Sequence, residues 1–77
     1  MRINRRNLKA RKILSALEKY GCKIMRSTPH GVIVENQKNK QSINVPLHRE
    51  ELAVWIYGNI LRRLGIDKKD FEENYLN

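Results

Sequence analysis

The stretch "CKIMRSTPHGVIVENQKNKQSINVP", residues 22–46, decides the fold. It divides into three short runs of strand character, residues 22–26, 31–35 and 41–45. Ser27-Thr28-Pro29 separates the first two, and the polar segment Asn36-Gln37-Lys38-Asn39-Lys40 separates the second and third as a hairpin loop. Ile43 and Val45 alternate with Ser42 and Asn44, as a sheet with one wet face requires. Val32-Ile33-Val34 is apolar on both sides, which places the second strand in the centre. Pro46 cannot donate a ladder hydrogen bond and ends the third strand.

Helical patterns flank this stretch. Ala10, Ile13, Leu14 and Leu17 recur at i, i+3, i+4 and i+7, while Lys9, Arg11, Lys12, Glu18 and Lys19 fall off that stripe. With Asn7 as cap and Gly21 past the end, the spacing predicts a helix over 8–20. On the other side Leu52, Trp55, Ile56, Ile60, Leu61 and Leu64 predict a helix over 51–64, closed by Gly65. Trp55 counts toward its core stripe, whereas Tyr57 falls off it and is expected to be exposed; the alternative for either aromatic ring is to stack on a base. Gly58, inside the pattern, costs about 1 kcal/mol relative to Ala and is read as a bend or a close contact. Asp67 is placed to cap a short final helix, "KKDFEENY", with Phe71 and Tyr75 at i, i+4.

The order is helix, three antiparallel strands, helix, short helix. This is an α+β fold with the helices on one sheet face and the other face available. The expected core is Leu14, Leu17, Ile24, Val32, Val34, Ile43, Ile60, Leu61 and Leu64. Seventy-seven residues make one domain, 1–77, with residues 1–7 as a basic N-terminal arm.

The chain has no apolar run near the roughly 18 residues a membrane span needs. The basic start leads into no apolar signal segment. A single cysteine, Cys22, forms no internal disulfide and reads as a small, half-buried hydrophobe. The expected compartment is the cytoplasm.

Net charge is +8 and unevenly spread. Residues 1–40 hold eleven Lys and Arg against Glu18 and Glu35, a balance of +9, while residues 41–77 hold five basic and six acidic side chains, a balance of −1. Such asymmetry points to a polyanion, with nucleic acid the commonest partner of this kind. The plainer alternative is a helix face kept soluble by charge. A membrane-surface role is disfavoured because the basic segment lacks large apolar anchors.

Two histidines and one cysteine match no zinc spacing, and there is no phosphate-cradling glycine loop and no nucleophile elbow. Neither a metal nor a small-molecule cofactor is expected. His30, among basic residues at the mouth of the second strand, remains. RNA cleavage needs no cofactor, because the substrate carries its own nucleophile, the 2′-hydroxyl beside the scissile phosphate. The catalyst must take that proton, offer one to the leaving 5′-oxygen and hold extra negative charge on the phosphate. Histidine is the side chain that ordinarily titrates near neutrality, and Lys or Arg suits the charge work. The competing interpretation of His30 is an incidental turn residue.

The chain resembles the HicA family of bacterial toxins, the mRNA interferases of HicA–HicB toxin–antitoxin pairs, over about residues 10–75. "ARKILSALEKYG" resembles the family's first helix, "KIMRSTPHGVIV" its first hairpin, "QSINVPLHREEL" its third strand end, and "ILRRLGIDKKDFEE" its closing helices. It departs from the family at Thr28-Pro29, where a Gly-Ser turn is usual, at Gly31, and at Trp55-Ile56-Tyr57-Gly58.

The resemblance implies a double-stranded-RNA-binding-domain-like α-β-β-β-α fold. It also implies a metal-independent endoribonuclease acting on mRNA in stress responses, with His30 as general acid/base, and a HicB-like antitoxin as partner. Lys23, Arg26, Lys38 and Lys40 are the candidates for binding RNA phosphates. His48, after Val-Pro, is expected to be structural or to contact RNA. The alternative function is a non-catalytic RNA-binding module of the same fold, which would have no need of His30.

Overall fold

A computed structural model describes residues 8–47 and 51–76 of the chain. Along the sequence run β1 (Leu8–Lys9), α1 (Ala10–Tyr20), β2 (Cys22–Thr28), β3 (Gly31–Asn36), β4 (Gln41–Pro46), β5 (Glu51–Leu52), α2 (Val54–Leu64) and α3 (Lys68–Asn74). β2, β3 and β4 form an antiparallel sheet with β3 in the centre, as the doubly apolar Val32-Ile33-Val34 run predicts.

Burial alternates strictly along β3, with Val32, Val34 and Asn36 buried and Gly31, Ile33 and Glu35 less so. The register carries that alternation across the sheet: Ile24, Val34 and Ile43 lie in one row, and Arg26, Ile33 and Asn44 in the next. Helices α1 and α2 pack against the buried face. Leu17, Val32, Val34, Ile60, Leu61 and Leu64 are buried, and Leu14, Ile24 and Ile43 pack partly buried against them. The core extends beyond those nine residues to Ala10, Ile13, Ala16, Val45, Leu52 and Phe71, among others.

Three features depart from the sequence expectation. First, both main helices start late. Leu8–Lys9 and Glu51–Leu52 pair antiparallel as a two-stranded ribbon, Leu8 opposite Leu52 and Lys9 opposite Glu51. Helix α1 therefore begins at Ala10 with Lys9 at its cap position, and α2 begins at Val54. A two-residue strand is too short to show a period, so the helical pattern simply ran over it. Asn7, the expected cap, lies outside the described residues.

Second, Trp55 and Tyr57 exchange roles. Tyr57 is fully buried, and Trp55 is 70% exposed. The core stripe of α2 is Tyr57, Ile60, Leu61 and Leu64, again i, i+3, i+4 and i+7. Trp55 stands two residues, about 200° of helix, before Tyr57 and so faces outward. Tyr57 is held at both ends: its ring packs near Phe71 of α3 with centroids 6.3 Å apart, and its hydroxyl donates to Glu72 Oε2 at 2.9 Å.

Third, Gly58 marks no break, since α2 is continuous through it. Gly65 does end the helix, at φ +69, with the Ile66 amide donating back to the Leu61 carbonyl at 2.9 Å. Asp67 caps α3 as expected, accepting from the Asp70 amide at 2.9 Å.

Asn36 ties the sheet to α2. It is buried, donates from Nδ2 to the Leu64 carbonyl at 2.8 Å, and accepts the Lys38 amide on Oδ1 at 3.0 Å. Asn39 Nδ2 donates to the same carbonyl at 2.9 Å. The β3–β4 turn is thereby locked to the C-terminal end of α2. No helix among the described residues is long and apolar enough to cross a membrane.

Candidate functional site

The β2–β3 connection is shorter than the sequence suggests. Thr28 pairs with Gly31, leaving only Pro29 and His30 as the turn. Pro29 supplies a fixed negative φ at the first turn position. Gly31, at φ +153, carries the change of hand that lets the chain re-enter the sheet. A Cβ on Gly31 would lie 2.0 Å from the Val45 carbonyl oxygen and 2.8 Å from Pro46 Cα. The glycine is thus required by the close approach of β4.

His30 stands exposed at the tip of this turn. Its backbone is held on two sides. The His30 amide donates to Thr28 Oγ1 at 3.2 Å, and the His30 carbonyl accepts from the Leu47 amide at 3.3 Å. Thr28 Oγ1 in turn donates to Asn44 Oδ1 at 2.8 Å. That bond spans the position where Gly31 has no side chain, so the hinge of the turn is tied to β4. Thr28 and Asn44 were not among the expected site residues. Asn44 carries a sequence signal only as a wet-face residue, and its link to Thr28 depends on a backbone irregularity that the pattern does not reveal.

That irregularity is a bulge between Ile24 and Arg26. Cys22 and Ile24 face the helices. Strict alternation would then turn Arg26 and Thr28 inward as well. The bulge resets the phase, pairing Arg26 with Ile33 and Thr28 with Gly31, and so brings both to the open face. Lys23, opposite Glu35, lies on the same face. The open face therefore carries Arg26, Thr28 and Asn44 toward the His30 turn, and Lys23, level with Glu35, toward the β3–β4 turn.

The other two lysines are elsewhere. Lys38 and Lys40 occupy the β3–β4 turn, at the far end of the sheet from His30. Six residues of β3 intervene, about 20 Å at ~3.3 Å per residue. Lys38 bends toward α1, with Nζ 4.1 Å from the centre of the Tyr20 ring. Lys40 takes a left-handed φ of 63° to close the turn. The structure thus places Arg26 on the open face toward the His30 turn, Lys23 on the same face at its far end, and Lys38 and Lys40 in the β3–β4 turn, apart from His30. His48 lies outside the described residues.

Cys22 is buried, and burial raises its thiol pKa from 9.0 to about 11, with the nearby Lys38 charge acting in the opposite sense. Burial, then the hydrogen bond and charge of Glu72, raise the Tyr57 phenol well above its ordinary value. Neither group faces the His30 turn. Among the described residues no three His, Cys, Asp or Glu side chains gather where they could hold a metal ion. The chain matches no family model, no curated protein and no solved structure.

Proposed function

We propose that this protein is a metal-independent endoribonuclease of the HicA kind, the toxin half of a toxin–antitoxin pair, which cuts mRNA in the cytoplasm. The observation that carries this reading is the His30 turn. An exposed imidazole sits on a two-residue turn whose backbone is fixed by Thr28 and Leu47, beside a sheet face bearing Lys23 and Arg26. Preorganisation of this kind is what proton transfer to a bound phosphodiester requires.

The succession of a helix, three antiparallel strands and a helix, with both helices on one face, is compatible with a double-stranded-RNA-binding-domain-like arrangement. The β1–β5 ribbon and α3 are additions to it.

In the proposed reaction, the ribose 2′-oxygen attacks the adjacent phosphorus and loses its proton. The bond from phosphorus to the 5′-oxygen breaks, and that oxygen takes up a proton. The products are a 2′,3′-cyclic phosphate and a 5′-hydroxyl. His30 acts as general acid/base at this step, and Arg26 offsets charge on the phosphate, while Lys23, level with Glu35 and about 16 Å along the sheet at ~3.3 Å per residue, is placed for a neighbouring phosphate. A positioned proton-transfer group of this type contributes on the order of 10² to 10⁴ in rate.

A nuclease that attacks its host's mRNA must be restrained. The proposed partner is a HicB-like antitoxin, acidic where it covers the His30 turn and the basic sheet face.

The test is expression of the wild type beside His30→Ala, scoring growth and total mRNA integrity. The wild type should arrest growth and deplete mRNA, and His30→Ala should do neither. If His30→Ala remains toxic and mRNA is still degraded, the catalytic assignment fails. If neither protein degrades mRNA yet both bind it, the chain is the non-catalytic RNA-binding module instead.

A further inference from the structure

We propose that the exposed face of α2 is a platform for single-stranded RNA, with Trp55 stacking on a base and Arg62 and Arg63 holding phosphates. This deepens the ribonuclease reading and takes from it only the identity of the polyanion. The platform lies outside the His30 turn and includes none of the residues placed there.

Three observations converge on this face. The first is Trp55, 70% exposed, the largest apolar side chain that the fold leaves in water. The second is Gly58, one turn further on. A glycine inside a helix is unfavourable, and nothing among the described residues calls for it: a Cβ at Gly58 would meet none of their atoms within 4 Å. What its missing side chain provides is a bare stretch of helix surface beside the indole, open to an outside molecule. The third is charge. Asn59 and Arg62 continue the line, so that Trp55, Gly58, Asn59 and Arg62 lie at i, i+3, i+4 and i+7 on one outward stripe. A groove lined by Ile43, Asn59, Arg62 and Arg63 runs between this stripe and the edge strand β4. Neither the groove lining nor α2 itself contains an acidic residue.

An aromatic platform beside a basic groove is how proteins hold single-stranded nucleic acid. The indole needs an unstacked base, which a duplex does not offer. A second copy of this chain is a poor occupant, because it would bring +8 against +8.

Trp55 is the only tryptophan, so its fluorescence reports on the platform directly. The full chain is titrated with a single-stranded RNA carrying 2′-O-methyl groups throughout, which binds but cannot be cleaved. The wild type and His30→Ala should both show quenching, and the same oligonucleotide annealed into a duplex should not quench. By anisotropy of the labelled strand, Trp55→Ala should weaken binding roughly 5- to 150-fold, the range expected for one stacked base, without lowering the thermal midpoint. Gly58→Leu should raise the thermal midpoint and weaken binding, because it fills the bare surface. Absence of quenching, or undiminished binding by both variants, overturns the platform even if mRNA cleavage is intact. Quenching by the methylated strand, together with a wild type that leaves unmodified mRNA whole, supports the platform while the ribonuclease reading fails. Unchanged RNA affinity in Trp55→Ala together with lost binding to an acidic protein partner would assign the face to a protein, also overturning the proposal.

Discussion

Replacing Gly31 with alanine tests how tightly the strands constrain the turn that presents His30. The added Cβ would sit 2.0 Å from the Val45 carbonyl oxygen. Bringing it even to 3.0 Å, the shortest separation a real Cβ shows, needs a shift of about 1 Å, and the obstacle is main chain, which has no rotamer to change. Widening β3–β4 by that amount from its usual ~4.8 Å spacing carries a ladder hydrogen bond from about 2.9 Å to nearly 4 Å, beyond bonding range. The Leu47 amide to His30 carbonyl bond, already 3.3 Å, flanks the site and is the first expected to go. Losing one such bond costs about 1 kcal/mol. Holding an L-residue at φ +153 adds about 1–3 kcal/mol of backbone strain. The sum, roughly 2–4 kcal/mol, is a large part of the 4–12 kcal/mol or so expected for a domain of 77 residues. Thermal and urea unfolding measure it directly. At about 4–8 °C per kcal/mol for a domain of this size, the midpoint should fall by roughly 10–30 °C. A loss below about 1 kcal/mol would show that β4 yields freely and that its approach does not dictate the glycine.

Further outcomes follow from the packing. Asn36→Ala removes a donor to the Leu64 carbonyl and the acceptor of the Lys38 amide, and should cost about 2 kcal/mol in urea unfolding; a change within ~0.5 kcal/mol would mean that Asn39 alone holds that corner. Gly58→Ala should stabilise the protein by about 1 kcal/mol, since the methyl meets nothing and helix propensity improves; destabilisation would place an unseen contact there. Cys22 titrates higher when folded than its ordinary 9.0, so its contribution to stability is complete below pH 9 and is lost as pH rises toward about 11. Cys22→Ala should therefore flatten the fall in stability between pH 9 and 10, the range below the ordinary tyrosine pKa. An identical slope in the variant would assign that fall to other groups.

What could be seen in the sequence follows from what leaves a period behind. The alternation of Ser42, Ile43, Asn44 and Val45 survives intact because β4 runs regularly beside β3. The same logic fails on β2. Read with a period of two, Arg26 and Thr28 belong to the core side, and only the bulge returns them to the open face. A single extra residue leaves no mark in a seven-residue strand. Trp55 and Tyr57 trade places because a helical pattern counted from Leu52 takes in residues before the start of α2 at Val54 and because both residues are aromatic. The spacing of Tyr57, Ile60, Leu61 and Leu64 was present, but the partner that makes Tyr57 a core residue, the Phe71–Glu72 pair, arrives from α3.

The candidate site shows the same division. His30 was placed on its turn by Pro29 and the following apolar run. The tie through Thr28 to Asn44 crosses a whole strand and is a tertiary fact. Lys38 and Lys40 share with His30 a place at a hairpin of the same sheet, which the sequence shows, yet successive hairpins turn at opposite ends, which it does not.

The most direct test of the proposed chemistry uses purified protein, EDTA and an oligonucleotide that is DNA except for a run of ribonucleotides. The wild type should cut within the ribonucleotide run and leave a 2′,3′-cyclic phosphate and a 5′-hydroxyl. The all-DNA control should stay whole, and His30→Ala should slow cleavage on the order of 10²-fold or more. Cleavage of the all-DNA control, a requirement for added metal, or an undiminished rate in His30→Ala would contradict a 2′-hydroxyl attack assisted by His30.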